Sequence, residues 1–195
     1  MKDFSKIPDV QDEFTCQWHS RQEIPADRHG FERFILEQHL SNFCLWHEED
    51  QARTPNAPPE KIVQVKRNID QLNQQRNDLI EQIDRTLLES LTHVDTRSAE
   101  LHSETPGMMI DRLSILSLKL YHTREETDRK DASPEHRARN LDRLKILEEQ
   151  RSDLADSLQR LWNDLQTGRR RFKLYRQLKM YNDPSLNPEI YRRKR

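Results

Sequence analysis

The sequence predicts an all-α protein, and three observations carry that expectation. Apolar residues recur at helical spacing along four long stretches, proline-rich links separate several of them, and only 3 Gly and 4 Val occur among 195 residues. Helical spacing collects i, i+3, i+4 and i+7 on one face, whereas strands favour β-branched residues and tight turns favour Gly. The expected architecture is an up-down antiparallel four-helix bundle with an extra N-terminal helix and a basic C-terminal helix.

The elements follow in order. Val10, Phe14 and Trp18 mark an N-terminal helix closed by Pro25. The first long helix is expected over residues 28–53, with Leu36, Leu40 and Phe43 in register, and Thr54-Pro55-Asn56-Ala57-Pro58-Pro59 ends it. The second runs over residues 60–94 on the stripe Ile62, Val65, Ile69, Leu72, Leu79 and Ile83, interrupted by Arg76. Thr105-Pro106 reads as an N-cap with proline in the first turn, opening a third helix to residue 128. Its apolar residues surround the axis, so it is expected in the bundle centre. Ser133-Pro134-Glu135 opens the fourth, which reaches residue 168 with Arg151 interrupting a leucine stripe. Phe172, Tyr175 and Leu178 suggest a last helix ending at Asn182-Asp183-Pro184.

Composition narrows the class. Charged residues make up 34% of the chain, yet the net charge is −1. Residues 1–167 carry 23 bases against 32 acids, and residues 168–195 carry 10 against 2. The expected organisation is therefore an acidic bundle over 1–167 and a basic helix and tail over 168–195. No apolar run reaches the length of a membrane span, residues 1–8 contain no apolar leader core, and two Cys cannot build a disulfide framework. The cytoplasm is the expected compartment.

Polar residues on core-facing stripes are costly unless paired or coordinated, which makes them candidates for a site. Continuing the first long stripe past Phe43 reaches His47 and Asp50. Arg76 interrupts the second, and the third supplies His122 and Glu125 one turn apart. In an up-down bundle these meet toward one pole, and His47, Asp50, Arg76, His122 and Glu125 form the candidate catalytic set. Imidazoles and carboxylates of this kind suit a divalent metal or proton transfer, and Arg76 suits a phosphate. The plainer reading is a buried polar layer that fixes register, with pairs such as Arg76–Glu125 or Arg151–Asp111.

Three further patterns carry chemistry. Glu104-Thr105-Pro106-Gly107, with Arg112 about a turn inside the helix, is a candidate anion seat at the opposite pole, because helix N-termini present free N–H groups. Asp78, Glu81 and Asp84 form an acidic ladder, comparable to the Mg²⁺ ligands on paired helices of all-helical nucleotide pyrophosphohydrolases, though a solvated face is the plainer account. Cys16-Gln17-Trp18-His19 and Cys44-Leu45-Trp46-His47 each put Cys and His on one helical face, which invites a Cys₂His₂ zinc set, with core cysteine as the alternative.

The chain resembles a bacterial all-helical family of unknown function. The resemblance rests on Asn42-Phe43, Leu45-Trp46-His47-Glu48-Glu49-Asp50 with Arg53, and the stretch Lys66 onward through Asn77-Asp78. It continues with the stretch from Glu104-Thr105-Pro106-Gly107 through Ile115-Leu116, then Gln150-Arg151, and Tyr175-Arg176-Gln177-Leu178-Lys179-Met180-Tyr181-Asn182-Asp183-Pro184. It implies an all-helical fold and a common site on the polar positions above, and brings no reaction or cofactor with it. Cys16 and Cys44 are outside the family pattern.

Two functions compete on these residues. One is an enzyme or binder for a phosphorylated small molecule at the polar cluster, with a divalent metal as the candidate cofactor. The other is a non-enzymatic adaptor or scaffold whose basic segment, with Tyr175 or Tyr181 for stacking, contacts a nucleic acid, a membrane surface or a protein partner. The same tail would also fit the chain's own acidic body.

Overall fold

The computed structural model describes residues 3–178 and 183–192. A 3₁₀ turn, Phe4–Lys6, leads into α1 (Ile7–Trp18), followed by α2 (Gly30–Ala52) and α3 (Pro59–Ser90). After strand β1 (Glu100–Leu101) come α4 (Pro106–Asp128), α5 (Pro134–Gln166), strand β2 (Arg170–Arg171) and the short α6 (Pro188–Tyr191). The all-α class holds. Prolines sit in the first turns of α3, α4 and α5, where a missing N–H costs nothing. The Thr105 side chain accepts from the Met108 N–H, and Ser133 accepts from that of His136.

Cross-contacts give the directions. Leu45 packs with Val65 and Ile69 while Ile35 packs with Ile83 and Leu87, so α2 and α3 run antiparallel. Arg124 reaches Glu148 near one end of α4, and Met109 shares a cluster with Leu161 near the other, so α4 and α5 do the same. The helix expected in the centre is there. Ile110, Leu113 and Leu120 are fully buried, and α4 touches α1, α2, α3 and α5.

The bundle differs from the expected four with attachments. α1 runs parallel to α2 and α4, donating from Gln11 to the Ile110 carbonyl and bonding Thr15 to His39. Phe14 and Trp18 join Leu36, Phe43 and Leu118 in one apolar cluster, so α1 is an integral core helix. It contacts α2, α4 and α5, while α5 reaches neither α2 nor α3. The physical reason is area: Phe14 and Trp18 are almost wholly buried, and each side chain buried contributes about 1.5–3 kcal/mol.

The basic segment also departs from expectation. Residues 172–178 are not helical, and the expected helix end at Asn182 and the side chain of Tyr181 lie outside the described residues. Gly168, at φ +72°, turns the chain out of α5, and a Cβ there would sit 2.5 Å from the Asp95 carbonyl oxygen. Beyond it, Arg170 and Arg171 pair in parallel with Glu100 and Leu101. Phe172 is buried in the main core, and Arg169 pairs with Asp164 at 2.7 Å. An amphipathic pattern was present, but Phe172 finds its apolar surroundings as part of an extended strap. Among the described residues, no helix is long and apolar enough to cross a membrane.

Candidate functional site

The expected cluster of His47, Asp50, Arg76, His122 and Glu125 separates into two places, on opposite sides of the seam between α2 and α4. Toward α3 lies a cleft of about 360 Å³, lined by Asn42, Trp46, Glu49, Asp50, Arg53, Asn73 and Arg76 together with Leu45, Ile115 and Leu118. Toward α1 lie His19, His47 and His122, each offering a ring nitrogen within 4.8 Å of the others. Trp46 belongs to both: it lines the cleft and stacks on His122 at 4.8 Å between ring centres.

The cleft rests on a buried polar chain. Arg76 donates through Nε and Nη2 to the two oxygens of Asp111, which also accepts from Gln38 and Asn42. Asn42 donates to Ser114 at 2.9 Å, and Ser114 meets Nδ1 of His39 at 2.7 Å. His39 Nε2 bonds the Gln11 carbonyl, which can only accept, so Nε2 carries the proton and Nδ1 accepts from Ser114. Burial pushes the His39 imidazole down to about 4, against the opposing pull of the Gln11 carbonyl and Asp12. The Asp111 carboxylate raises the Arg76 guanidinium further above its ordinary value, so it stays charged. Arg76 therefore pairs with Asp111 and not with Glu125, and Arg151 pairs with Asp12 instead of Asp111. Asp50 is exposed on the cleft rim, and its carboxylate makes no hydrogen bond or ion pair among the described residues.

The imidazole cluster is built from three helices. His19 caps the end of α1, bonding Nδ1 to the Thr15 carbonyl at 2.7 Å. His47 bonds Nδ1 to the Phe43 carbonyl at 2.8 Å, and His122 bonds Nδ1 to Glu125 at 2.7 Å. Burial and the neighbouring His19 and His47 hold the His122 imidazole below its ordinary value, against the Glu125 carboxylate. Sequence spacing had already associated His19 with His47 through the two Cys-x-x-His pairs. The interrupted stripes had separately put His47 with His122; only packing joins all three, and the cysteines fall outside the group. Cys16 is exposed, and burial followed by Glu48 pushes the Cys44 thiol up.

At the other pole, the expected anion seat is already filled from within the chain. Asp84, 1% exposed, accepts from the Gly107 N–H at 2.7 Å and from the Thr105 hydroxyl. A Cβ on Gly107 would lie 2.8 Å from Asp84 Oδ1 and from the Ile80 carbonyl oxygen, so glycine is what lets α3 approach. Burial raises Asp84 to about 6, opposed by those two hydrogen bonds. The acidic ladder thus breaks up, with Asp78 exposed and Asp84 in the core. Glu104 and Arg112, paired at 2.6 Å, line a separate cavity of about 750 Å³ with Asp153, Arg160 and Arg170 among its other walls.

A family model described as a protein of unknown function, DUF4254, matches residues 32–174. The chain belongs to the DUF4254 family. The match spans α2 through β2, so it includes every residue lining the cleft together with His47 and His122, and it begins after α1 and His19. Neither the curated proteins nor the solved structures compared with the chain give a match.

Proposed function

We propose that this DUF4254 protein binds, and as an enzyme acts on, a phosphorylated small molecule held in the cleft between α2, α3 and α4. One observation carries this reading: Arg76 is clamped by Asp111 through Nε and Nη2, while Nη1 makes no hydrogen bond among the described residues and the residue lines the cleft. A guanidinium already fixed by its partner loses little rotamer freedom when it meets an anion, which favours affinity. Asp111 offsets part of the charge, so recognition relies on the fork's geometry and on the second N–H of the Asn73 amide, the first being held by the Ile69 carbonyl. Asp50, whose carboxylate has no partner among the described residues, is available to hold a ligand hydroxyl or move a proton.

The stretches that carried the family resemblance supply nine of the ten cleft residues, which supports one shared site. The strap from Arg169 to Gln177 is engaged with the chain's own body, ending in the bond from the Gln177 N–H to Glu81. That favours the cleft over an adaptor role for the basic segment. Under this reading the protein works in the cytoplasm.

Thermal-shift and calorimetric titration with inorganic phosphate, hexose phosphates and nucleoside monophosphates tests the proposal, with turnover followed by phosphate release. At least one phosphorylated compound is expected to bind, and Arg76→Lys to weaken it about tenfold or more by losing the planar fork. If no compound binds, or Arg76→Lys leaves binding unchanged, the reading fails.

A further inference from the structure

The three histidines on the α1 side of the seam are a separate problem in chemistry. Each has its Nδ1 against a group that only accepts: the Thr15 carbonyl for His19, the Phe43 carbonyl for His47 and the Glu125 carboxylate for His122. An acceptor-only partner fixes the proton on Nδ1 and leaves Nε2 as a bare lone pair. Each of the three offers a ring nitrogen within 4.8 Å of the others, and Nε2 of His122 is buried with no hydrogen-bond partner among the described residues. A buried acceptor without a donor is costly, and a bound ion is one way a native structure satisfies it.

We propose that His19, His47 and His122 form a binding site for a borderline divalent cation of the Zn²⁺ class, with Glu125 as the positioning residue behind His122. Ligating histidines commonly donate their second ring nitrogen to a carbonyl or carboxylate, which is the arrangement at all three positions. Three neutral imidazoles with no carboxylate in the set favour Zn²⁺ or Co²⁺ over Mg²⁺ or Ca²⁺, which take oxygen ligands. The ring centres stand 5.2 Å (His19–His122), 5.3 Å (His19–His47) and 5.8 Å (His47–His122) apart. Zn–N bonds of about 2.0–2.1 Å at tetrahedral angles put ligand nitrogens about 3.4 Å apart, so modest ring rotation closes the set. A three-histidine set leaves a fourth position to water, and exposed His19 puts that position on the solvent side.

The rings are also held from outside. His122 lies stacked between its neighbours against Trp46, and His19 stacks on Tyr121 at 4.2 Å. The set needs α1, α2 and α4 together, which gives the parallel packing of α1 a chemical consequence beyond burying Phe14 and Trp18. It is independent of the Arg76 cleft, since none of the three histidines lines that cleft.

Titrating the metal-stripped full-length chain with Zn²⁺ by calorimetry, and with Co²⁺ by visible absorption, tests the site. One Zn²⁺ per chain is expected, and Co²⁺ should give the intense visible bands of a four-coordinate ion. Exposed His19→Ala should lower affinity at least tenfold while leaving the far-UV circular dichroism unchanged. Glu125→Gln should lower it about tenfold while preserving the 1:1 stoichiometry. His93→Ala, at an exposed histidine outside the cluster, should have no effect. Absence of saturable binding, or equal binding by wild type and His19→Ala, overturns the proposal.

Discussion

The two polar clusters on either side of the α2–α4 seam differ in whether a cation already sits among their acceptors. On the α3 side, a directed chain of donors and acceptors runs from Arg76 through Asp111, Asn42, Ser114 and His39 to the Gln11 carbonyl. On the α1 side, three imidazoles bring ring nitrogens within 4.8 Å of one another. Both sets interrupt apolar surroundings and both use histidine. The first contains its own cation, Arg76, and holds four helices in register, although Gln11 and Gln38 each keep a buried Oε1 without a donor; the second gathers three imidazoles around no cation. Burial of polar groups alone does not distinguish a site from a scaffold. The chemistry of the atoms brought together does: a carboxylate already clamped on a guanidinium in one set, three metal-ligating ring nitrogens in the other.

The Arg76 network should respond most strongly to losing one partner. Asp111→Ala leaves the Arg76 charge without its carboxylate and strands the amides of Gln38 and Asn42, a loss of about 3 kcal/mol or more. For a chain of this length that lowers Tm by about 6–12 °C, measurable by calorimetry. Replacing both partners with apolar residues of similar shape, Arg76→Met with Asp111→Leu, should recover most of it. If the single change were harmless, the network would not be a structural element.

A smaller effect belongs to the second buried carboxylate. Asp84→Ala strands the Gly107 N–H and the Thr105 hydroxyl, at a cost of about 1–3 kcal/mol in urea unfolding. Asp84→Asn keeps an acceptor and should cost less. Acidity gives a further separation. Asp84, raised to about 6, binds its proton more tightly in the folded state, so its contribution is full below pH 3.8 and lost as pH rises to about 6. His39, lowered to about 4, contributes stability that is full above pH 6.5 and lost as pH falls toward 4. The slopes oppose each other between pH 4 and 6, so the wild type should vary little there. Asp84→Asn should unmask the His39 slope, with stability falling as the solution is acidified by up to about 3 kcal/mol. A slope of the opposite sign in that variant would contradict the assignment.

Much of the fold was legible because local chemistry fixed it. Thr105 and Ser133 are caps with first-turn prolines behind them, and both form the expected bonds. The polar positions on α2, α3 and α4 were legible as interruptions of apolar stripes. Their partners were not, because Arg76 and Asp111 are 35 residues apart and no periodicity specifies which stripes face each other. Asp84 read as one rung of a surface ladder, although its position beside Ile80, Ile83 and Leu87 puts it on the buried face of α3. The extended strap after Gly168 was hidden by a basic amphipathic pattern that suits a helix equally well, and the β1 pairing that holds it is 70 residues away.

The imidazole cluster should be the least sensitive to mutation in the absence of metal and the most sensitive in its presence. His19→Ala removes an exposed side chain, so its metal-free Tm should fall by no more than a degree or two. The most direct measurement is the Tm of the metal-stripped full-length chain with and without saturating Zn²⁺, in wild type, His19→Ala and Arg76→Lys. The contrast between the clusters predicts that Zn²⁺ raises Tm in wild type and in Arg76→Lys alike and raises it clearly less in His19→Ala. An equal rise in His19→Ala, or no rise in wild type, would contradict it.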